Sequence, residues 1–261
     1  MAIGLNNANI ILITQARVGS TRLPAKVLKS IGEQSVLSIH LQRLKEAQYV
    51  NKIIVATTKE EGVENIIKIA KQYNVKYSQG STQDVLSRFY YAALNEQPEY
   101  IVRVTSDCPL LDPKLVDEVI KFTIDNKLDY GSNMMIQNYP DGQDVEVFTF
   151  NALKLAHENA KLNSEREHVT PFIVKNSSFN GGKLFKSADY PLAKNYNQIR
   201  MTVDEIDDYH AVRKLVKKLG INASWESYTK YILEHPEDFT NQRIVRNEGY
   251  LKSLEKEKNE E

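Results

Sequence analysis

Residues 13–28 read ITQARVGSTRLPAKVL. The stretch starts as the end of an apolar run (residues 9–14) and turns abruptly into a loop carrying Gly19, Pro24 and three cations, Arg17, Arg22 and Lys26. That transition decides the fold. A short, Ile-rich run is the pattern of a strand buried on both faces, as in a parallel sheet. Similar runs follow at residues 52–57, 75–78 and 100–104. Between them lie amphipathic helical patterns: one capped by Ser35 and reaching about Glu46, then 63–73, 84–94 and 113–124. Strand and helix alternating four times predict an α/β fold with right-handed crossovers and a mostly parallel sheet covered on both faces.

The second half is less regular. Residues 128–150 suggest strands broken by NYPDGQD, a Pro-Asp-Gly turn signal. Helical patterns follow near 151–161 and 165–175, and NSSFNGGKLF reads as loop and strand. Residues 196–220 predict a strand ending near Val203 and a helix ending at Gly220, and residues 221–261 a C-terminal helical extension whose last stretch is solvated.

Ligands of open parallel sheets bind beyond the carboxyl ends of the strands. The chemically unusual segments all fall there: QARVGSTRLPAK after the first strand, TTK after the second, QGSTQD after the third, TSDCPLLDP after the fourth and TVDEIDD after the late strand. The first loop is neither Gly-x-Gly-x-x-Gly nor a Walker P-loop. It still offers two guanidinium forks, one mobile ammonium, the hydroxyls of Ser20 and Thr21, and backbone N–H groups. That set suits a polyphosphate, while a surface turn with solvated cations is the plainer reading. Asp107 and Asp204 each end a strand. Each can ligate a divalent ion or cap a helix, and two such carboxylates on one edge can share one metal. Asp112 reads as the cap of the helix at Pro113, and Asp84 as another cap. Arg88 either reaches the site or pairs with Asp84 one turn away. Asp144 and Glu146 share one strand face by period two. Arg166, Glu167 and His168 open a helix, and a lone histidine is more often structural than catalytic. No His/Cys set has zinc spacing.

Composition limits the partners. Among 261 residues, Lys plus Arg number 34 and Asp plus Glu also number 34, so bulk electrostatic binding to nucleic acid or anionic membrane is not expected. The sequence is 41% hydrophobic, enough for a sizeable core. The sole cysteine, Cys108, allows no internal disulfide and fits a reducing cytoplasm. No run has the length of a membrane span, and no signal sequence is expected.

With GSTQDVLSRFY, RVTSDCPLLDP, YPDGQDVEVF, SEREHVTP, RMTVDEIDDY and RNEGYLKSL, the loop resembles the sugar cytidylyltransferases, and within them the spore coat polysaccharide biosynthesis protein F group. The resemblance runs from about residue 9 to 254. It implies a Rossmann-like nucleotidyltransferase fold over residues 1–220, with an acceptor and dimerisation segment at about 135–190. It also implies CTP as donor, a sugar or polyol derivative as acceptor, Mg²⁺ as cofactor, and homodimers. Carried over by position, Gln15, Ala16, Arg17, Gly19, Ser20, Arg22 and Lys26 are nucleotide-binding, joined by Gly80, Ser81 and Ser106. Lys26, Arg17 and Asp107 are catalytic, and Asp107 and Asp204 bind the metal. Asp144, Glu146, Arg166, Glu167 and His168 are assigned to the acceptor. Three departures stand out: Ala25 and Ser106 occupy positions where the family often has Gly, and VDEIDD lacks the Thr-Pro pair of the octulosonate enzymes. Two other classes remain open. A nucleotide-sugar-dependent glycosyltransferase would want an Asp-x-Asp after a central strand, which SDCP does not supply. A nucleotide-binding module without catalysis would bind CTP and release no pyrophosphate.

Overall fold

The computed structural model describes residues 5, 8–244 and 246–260. Nine strands and ten α-helices alternate through it. In chain order they are β1 (Ile10–Gln15), β2 (Ser30–Ile31), β3 (Gln34–Ser35), α1 (Val36–Leu44), β4 (Lys52–Thr57), α2 (Val63–Gln72), β5 (Lys76–Gln79), α3 (Val85–Leu94), β6 (Tyr100–Thr105), α4 (Pro113–Asp125) and β7 (Tyr130–Ser132). There follow β8 (Glu146–Thr149), α5 (Phe150–Asn159), α6 (Asn163–His168), α7 (Pro171–Lys175), β9 (Ser187–Asp189), α8 (Ile206–Leu219), α9 (Trp225–Glu234) and α10 (Glu248–Glu260).

Seven strands form one sheet in the order β5-β4-β1-β6-β8-β7-β9; β2 and β3 make a separate hairpin. β5, β4, β1 and β6 run parallel, as the Ile- and Val-rich runs predict. In β1, period two sends Ile11 and Ile13 into the core under α3 and α5, and Ile10 and Leu12 into the core under α4. The helix starts follow the sequence: the Ser35, Asp84, Asp112 and Thr149 side chains each accept an N–H from the first turn of the helix they cap.

The chain leaves β1 for β4 and β5 on one side, then returns to lay β6 on the other side of β1. This reversal opens a crevice at the carboxyl ends of β1 and β6, where Gln15 lies beside Thr105. β8 enters antiparallel, with Glu146 opposite Arg103. Its amino end and the turn before it therefore reach the same edge.

Three expected elements differ. No strand ends near Val203: Arg200 makes a single bridge to Asp141, and residues 201–203 are extended but unpaired in the sheet. Their hydrogen bonds go instead to the 141 turn and to the Asp107 carbonyl. The helix expected over 165–175 is broken into α6 and α7 at Val169, whose φ is 72°, and Pro171, which has no N–H to give, restarts it as the first residue of α7. Arg166, Glu167 and His168 thus close a helix rather than open one. Asp144 sits before β8, not on it.

Beyond Gly220, α9 folds back on α8. Its Tyr228 and Ile232 are buried among Val203, Val212 and Leu215, and Trp225 reaches the core under α4. α10 lies across α6 at the crevice mouth, where Ser164 donates twice to Glu257. Among the described residues no helix is long and apolar enough to cross a membrane.

Candidate active site

The crevice holds two adjoining cavities. The larger, of about 850 Å³, lies beside the β1 loop; the smaller, of about 420 Å³, lies beside β8. Asp107, Asp204 and Arg22 line both.

At this seam the distant parts of the chain converge. Lys26 Nζ lies 2.6 Å from Asp107 Oδ2 and 2.7 Å from Asp204 Oδ1. Burial opposes a charge on Lys26, yet the two carboxylates hold its pKa above the ordinary lysine value. Asp107 is the converse: burial pushes its pKa up, but Lys26 outweighs burial and holds it below the usual carboxylate range. Both groups are therefore charged at neutral pH.

Backbone geometry makes the meeting possible. Ala25 adopts a left-handed conformation (φ 52°, ψ 33°) and starts a 3-10 turn over Lys26–Leu28. That turn carries Lys26 back over the end of β1. A left-handed backbone is costly for any residue with a Cβ and is adopted most readily by glycine. Asp107 and Asp204 are tied through the main chain: the Val203 N–H donates to the Asp107 carbonyl at 2.8 Å, and Thr202 Oγ1 donates to it at 3.3 Å. The 199–201 segment is in turn pinned to the Pro-Asp-Gly turn by Asp141 N–H to Ile199 O and Met201 N–H to Asp141 O, both 2.8 Å. Gly142 (φ 101°) is required there, because a Cβ would lie 2.9 Å from the backbone of Met201 and Thr202.

Asp204 does not cap α8. Glu205 does, and the buried Asp208 reaches back to the N–H groups of Asp204 and Glu205. The Asp204 carboxylate is thereby left to face Lys26, Arg22 at 3.0 Å and Arg200 at 2.9 Å. Behind the seam, His40 Nε2 lies 2.9 Å from Thr14 Oγ1 and Nδ1 lies 2.9 Å from the Cys108 carbonyl. Burial pushes the His40 pKa down to about 4, so the ring is neutral and holds β1 to the Asp107 turn. Nothing in the sequence around His40 marks it for this role.

Most of the predicted nucleotide set lines the larger cavity: Gln15, Ala16, Arg17, Ser20, Arg22, Lys26 and Ser106. Ser106 Oγ also donates to the Gln15 carbonyl at 2.6 Å. Three members lie elsewhere. Gly19 and Val18 give their N–H groups to Glu60 Oε1 at 3.0 and 2.7 Å. Gly80 lies against Arg88, where a Cβ would sit 2.7 Å from Arg88 Cγ. Ser81 Oγ accepts the N–H of Asp84 at 3.0 Å. These residues shape the rim rather than line the cavity.

Arg88 is the residue whose role the sequence left open. Asp84 pairs with Arg166, at 2.7 Å, and not with Arg88. Arg88 is 5% exposed, its Nε and Nη1 have no partner, and it lines the larger cavity. Burial and then the neighbouring Arg17 lower its pKa to about 10. A buried, unpartnered guanidinium is costly unless a ligand supplies the missing acceptors.

The five residues assigned to the acceptor divide. Asp144 and Glu146 line the smaller cavity, Arg166 and Glu167 the larger, and His168 both. Glu146 is buried against Arg103, Tyr130 (2.7 Å) and Thr170 (2.5 Å). Asp144 is held by Arg246, and Arg200 holds Asp141 and Asp208 as well as Asp204. Burial and the nearby Asp144 push the Asp141 pKa up, against the pull of Arg200. Neither Asp141 nor Arg200 was singled out in the sequence, although Arg200 stands four residues before Asp204 in RMTVDE. α10 closes the mouth: Glu248 pairs with Arg22 at 3.0 Å, and Ser253 bonds His168 at 3.2 Å.

Among the described residues no cluster of three or more His, Cys, Asp or Glu can hold a metal by itself. The seam nevertheless suits a hard divalent cation that brings its own ligands. Two carboxylates already converge on one cationic atom, the Lys26 ammonium, and Mg²⁺ is commonly bound by one or two carboxylates plus substrate phosphates.

Comparison with known proteins agrees with this geometry. A family profile described as Cytidylyltransferase matches residues 11–253. An uncharacterised protein of Methanocaldococcus jannaschii is 36% identical over 92% of this chain and 97% of its own. The spore coat polysaccharide biosynthesis protein SpsF of Bacillus subtilis is 30% identical over 81% of this chain and 88% of its own. The solved structure of a cytidylyltransferase from Leptospira borgpetersenii superposes with a TM-score of 0.84 at 30% identity, covering 92% of this chain and all of that one. The family match spans nearly the whole described chain, loop and both aspartates included, and on that ground this chain belongs to the cytidylyltransferase family.

Proposed function

We propose that this chain transfers the CMP group of CTP to a hydroxyl of a sugar or sugar-like acceptor, releasing pyrophosphate, in the synthesis of a surface polysaccharide. The observation that carries the reading is Lys26 bridging Asp107 and Asp204 on the seam between two cavities. One cavity has cations to spare for a triphosphate; the other has room for a second substrate. The polysaccharide context is taken from the name of SpsF.

In the reaction an acceptor oxygen forms a bond to the α-phosphorus, the bridging bond to the β-phosphate breaks, pyrophosphate departs, and the hydroxyl proton passes to water. Negative charge spreads over the phosphoryl oxygens and the leaving group, so positioning and electrostatic stabilisation do most of the work. Lys26 meets the α-phosphate. Arg17 and Arg88 hold the β- and γ-groups, and Ser20 and Thr21 donate from the loop. Asp107 and Asp204 would hold Mg²⁺, which supplies charge neutralisation at the phosphates when bound. Arg22 and Arg200 fix Asp204, and α10 shields the mouth from water.

Residues 1–220 form the catalytic unit in this reading, with 221–261 as its helical extension. The 135–190 segment exposes Ile136, Phe179 and Leu184, which supports its use as a homodimer face. A mass equal to one chain by light scattering would remove that part. The lone Cys108 fits residence in a reducing cytoplasm.

The decisive experiment offers each of the four nucleoside triphosphates with Mg²⁺ to a panel of sugars and polyols and reads pyrophosphate. Release with CTP alone is expected. Release with none, although CTP binds, would leave a binding module. Turnover of a nucleotide sugar in place of a triphosphate would indicate a glycosyltransferase.

A further inference from the structure

Lys26 Nζ is held by the same two carboxylates that the proposed reaction gives to the metal, and one pair of oxygens cannot serve both cations at once. We propose that Lys26 is an internal placeholder: its ammonium closes the Asp107–Asp204 pair to free divalent cations, and the triphosphate, by drawing that ammonium onto its own oxygens, opens the pair to the metal it carries. Nucleotide and metal then enter together, and metal does not enter first. The inference rests on the cytidylyltransferase reading of the same site.

Every oxygen of the pair has a neighbour to satisfy it. Lys26 Nζ lies 2.6 Å from Asp107 Oδ2 and 2.7 Å from Asp204 Oδ1. Arg22 Nη2 lies 3.0 Å from Asp204 Oδ1, and Arg200 Nη2 lies 2.9 Å from Asp204 Oδ2. The remaining oxygen, Asp107 Oδ1, faces the Cys108 thiol at 3.6 Å. Two carboxylates are thus met by three cationic side chains, although Arg200 also serves Asp141 and Asp208. A divalent cation arriving from water would find balanced carboxylates and repelling charge around them. Mg²⁺ sheds its water reluctantly, so oxygens already bonded to a cation offer it little.

The ammonium is the movable member of the three. Each guanidinium is fixed by several acids: Arg200 by Asp141, Asp204 and Asp208, and Arg22 by Asp204, Glu205 and Glu248. Lys26 Nζ bonds only Asp107 and Asp204 among the described residues, and it sits on a flexible four-carbon stem. Lys26 lines the larger cavity, beside Arg17 and the unpartnered Arg88. Phosphate oxygens bound there compete for Lys26 directly. Once Nζ turns to them, Asp107 and the Lys26 side of Asp204 are left buried without a cation, which is costly until another replaces it.

The test uses the full chain at neutral pH, Mn²⁺ as the probe for the metal, and α,β-methylene-CTP as an unreactive nucleotide. Bound Mn²⁺ is measured by electron paramagnetic resonance, with the Mn²⁺ held by free analogue subtracted, and melting temperature is followed in parallel. Without nucleotide, wild type is expected to bind Mn²⁺ roughly tenfold to a hundredfold more weakly than with the analogue, the usual span of coupling between two ligands. Its Tm should not respond to Mn²⁺ alone. Lys26→Met, also without nucleotide, should bind Mn²⁺ at least about tenfold more tightly than wild type and gain Tm on its addition. Adding Asp107→Asn to that variant should remove the gain. Lys26→Met or Lys26→Gln binding Mn²⁺ no better than wild type would overturn the proposal. So would wild type binding Mn²⁺ as tightly without the analogue as with it, a result that needs no variant to fold. Failure of the cytidylyltransferase reading would show differently, as an analogue that does not bind at all; the nucleotide-free comparison of wild type with the variants does not depend on it.

Discussion

The larger cavity and the smaller one share a wall and differ in electrostatic design. In the larger, Arg17 and Arg88 meet no carboxylate at ion-pair distance among the described residues, and Arg88 is buried with two unpartnered nitrogens. In the smaller, Arg22, Arg103 and Arg200 each hold at least one acid, while Arg103 Nε remains a buried donor without a partner. Net charge is zero over the chain, so the difference is one of local placement. One fold thus builds an anion-hungry compartment beside one whose cations are mostly paired, with the reacting phosphorus expected on the boundary. Buried groups without partners destabilise the free protein, and ligands that complete them recover that cost.

The comparison can be broken first at the boundary. Asp107→Asn should leave far-UV CD unchanged and lower metal-dependent pyrophosphate release about 10²- to 10³-fold, the scale seen when one transition-state electrostatic partner is lost. Near-normal release in the folded variant would detach Asp107 from the metal role. The wall can next be loosened by acid. The His40 pKa is about 4 in the folded protein against an ordinary value of 6.5, so the unfolded chain binds more protons between those values. Stability is complete above pH 6.5 and falls as the pH drops toward 4, by up to about 3 kcal/mol. Melting curves of wild type and His40→Gln across that window check the sign: the variant should show a flatter dependence.

The third test addresses the anion-hungry side alone. Arg88→Met should raise the KM for CTP roughly tenfold to a hundredfold, the value of a lost charge-assisted hydrogen bond or two. It should leave Tm unchanged or raise it, because a buried unpaired charge is removed. A large drop in Tm with unaltered CTP binding would make Arg88 structural and erase the contrast. The smallest effect is expected at Ala25→Gly. Relief of the left-handed backbone is offset by greater freedom of the unfolded chain, for a net gain of roughly 0–1 kcal/mol by thermal melting. A clear loss of stability would mean that the Ala25 methyl packs usefully in the loop.

Much of this was legible beforehand. The parallel strands announced themselves as Ile- and Val-rich runs, and β4 matches the expected residues 52–57 at both ends. The switch-point logic put Arg17, Lys26, Asp107 and Asp204 on one edge before any coordinates. What failed did so for physical reasons. MTV at 201–203 has the composition of a strand, but its hydrogen bonds go to Asp107 and to the Pro-Asp-Gly turn, contacts set by tertiary packing. Pro171 did signal the break between α6 and α7, and the apolar period across it hid that signal. Gly19 takes its nucleotide role only from the resemblance; that Glu60, 41 residues on, accepts its N–H has no local trace. Arg88 could not be decided because absence of a partner is a property of the folded environment. The split of Arg166 from Asp144 follows from β8 running against its neighbours, which residue spacing alone does not reveal.

The placement of α10 has a consequence for how the protein is made and handled. The carboxylate pair and its lysine can assemble once residue 208 has emerged from the ribosome, while the wall that shelters them arrives about 40 residues later, with Glu248 and Ser253. During that interval the nascent site faces solvent on one side. Any segment joined directly to α10 would hang from this same closing helix and is expected to disturb the mouth.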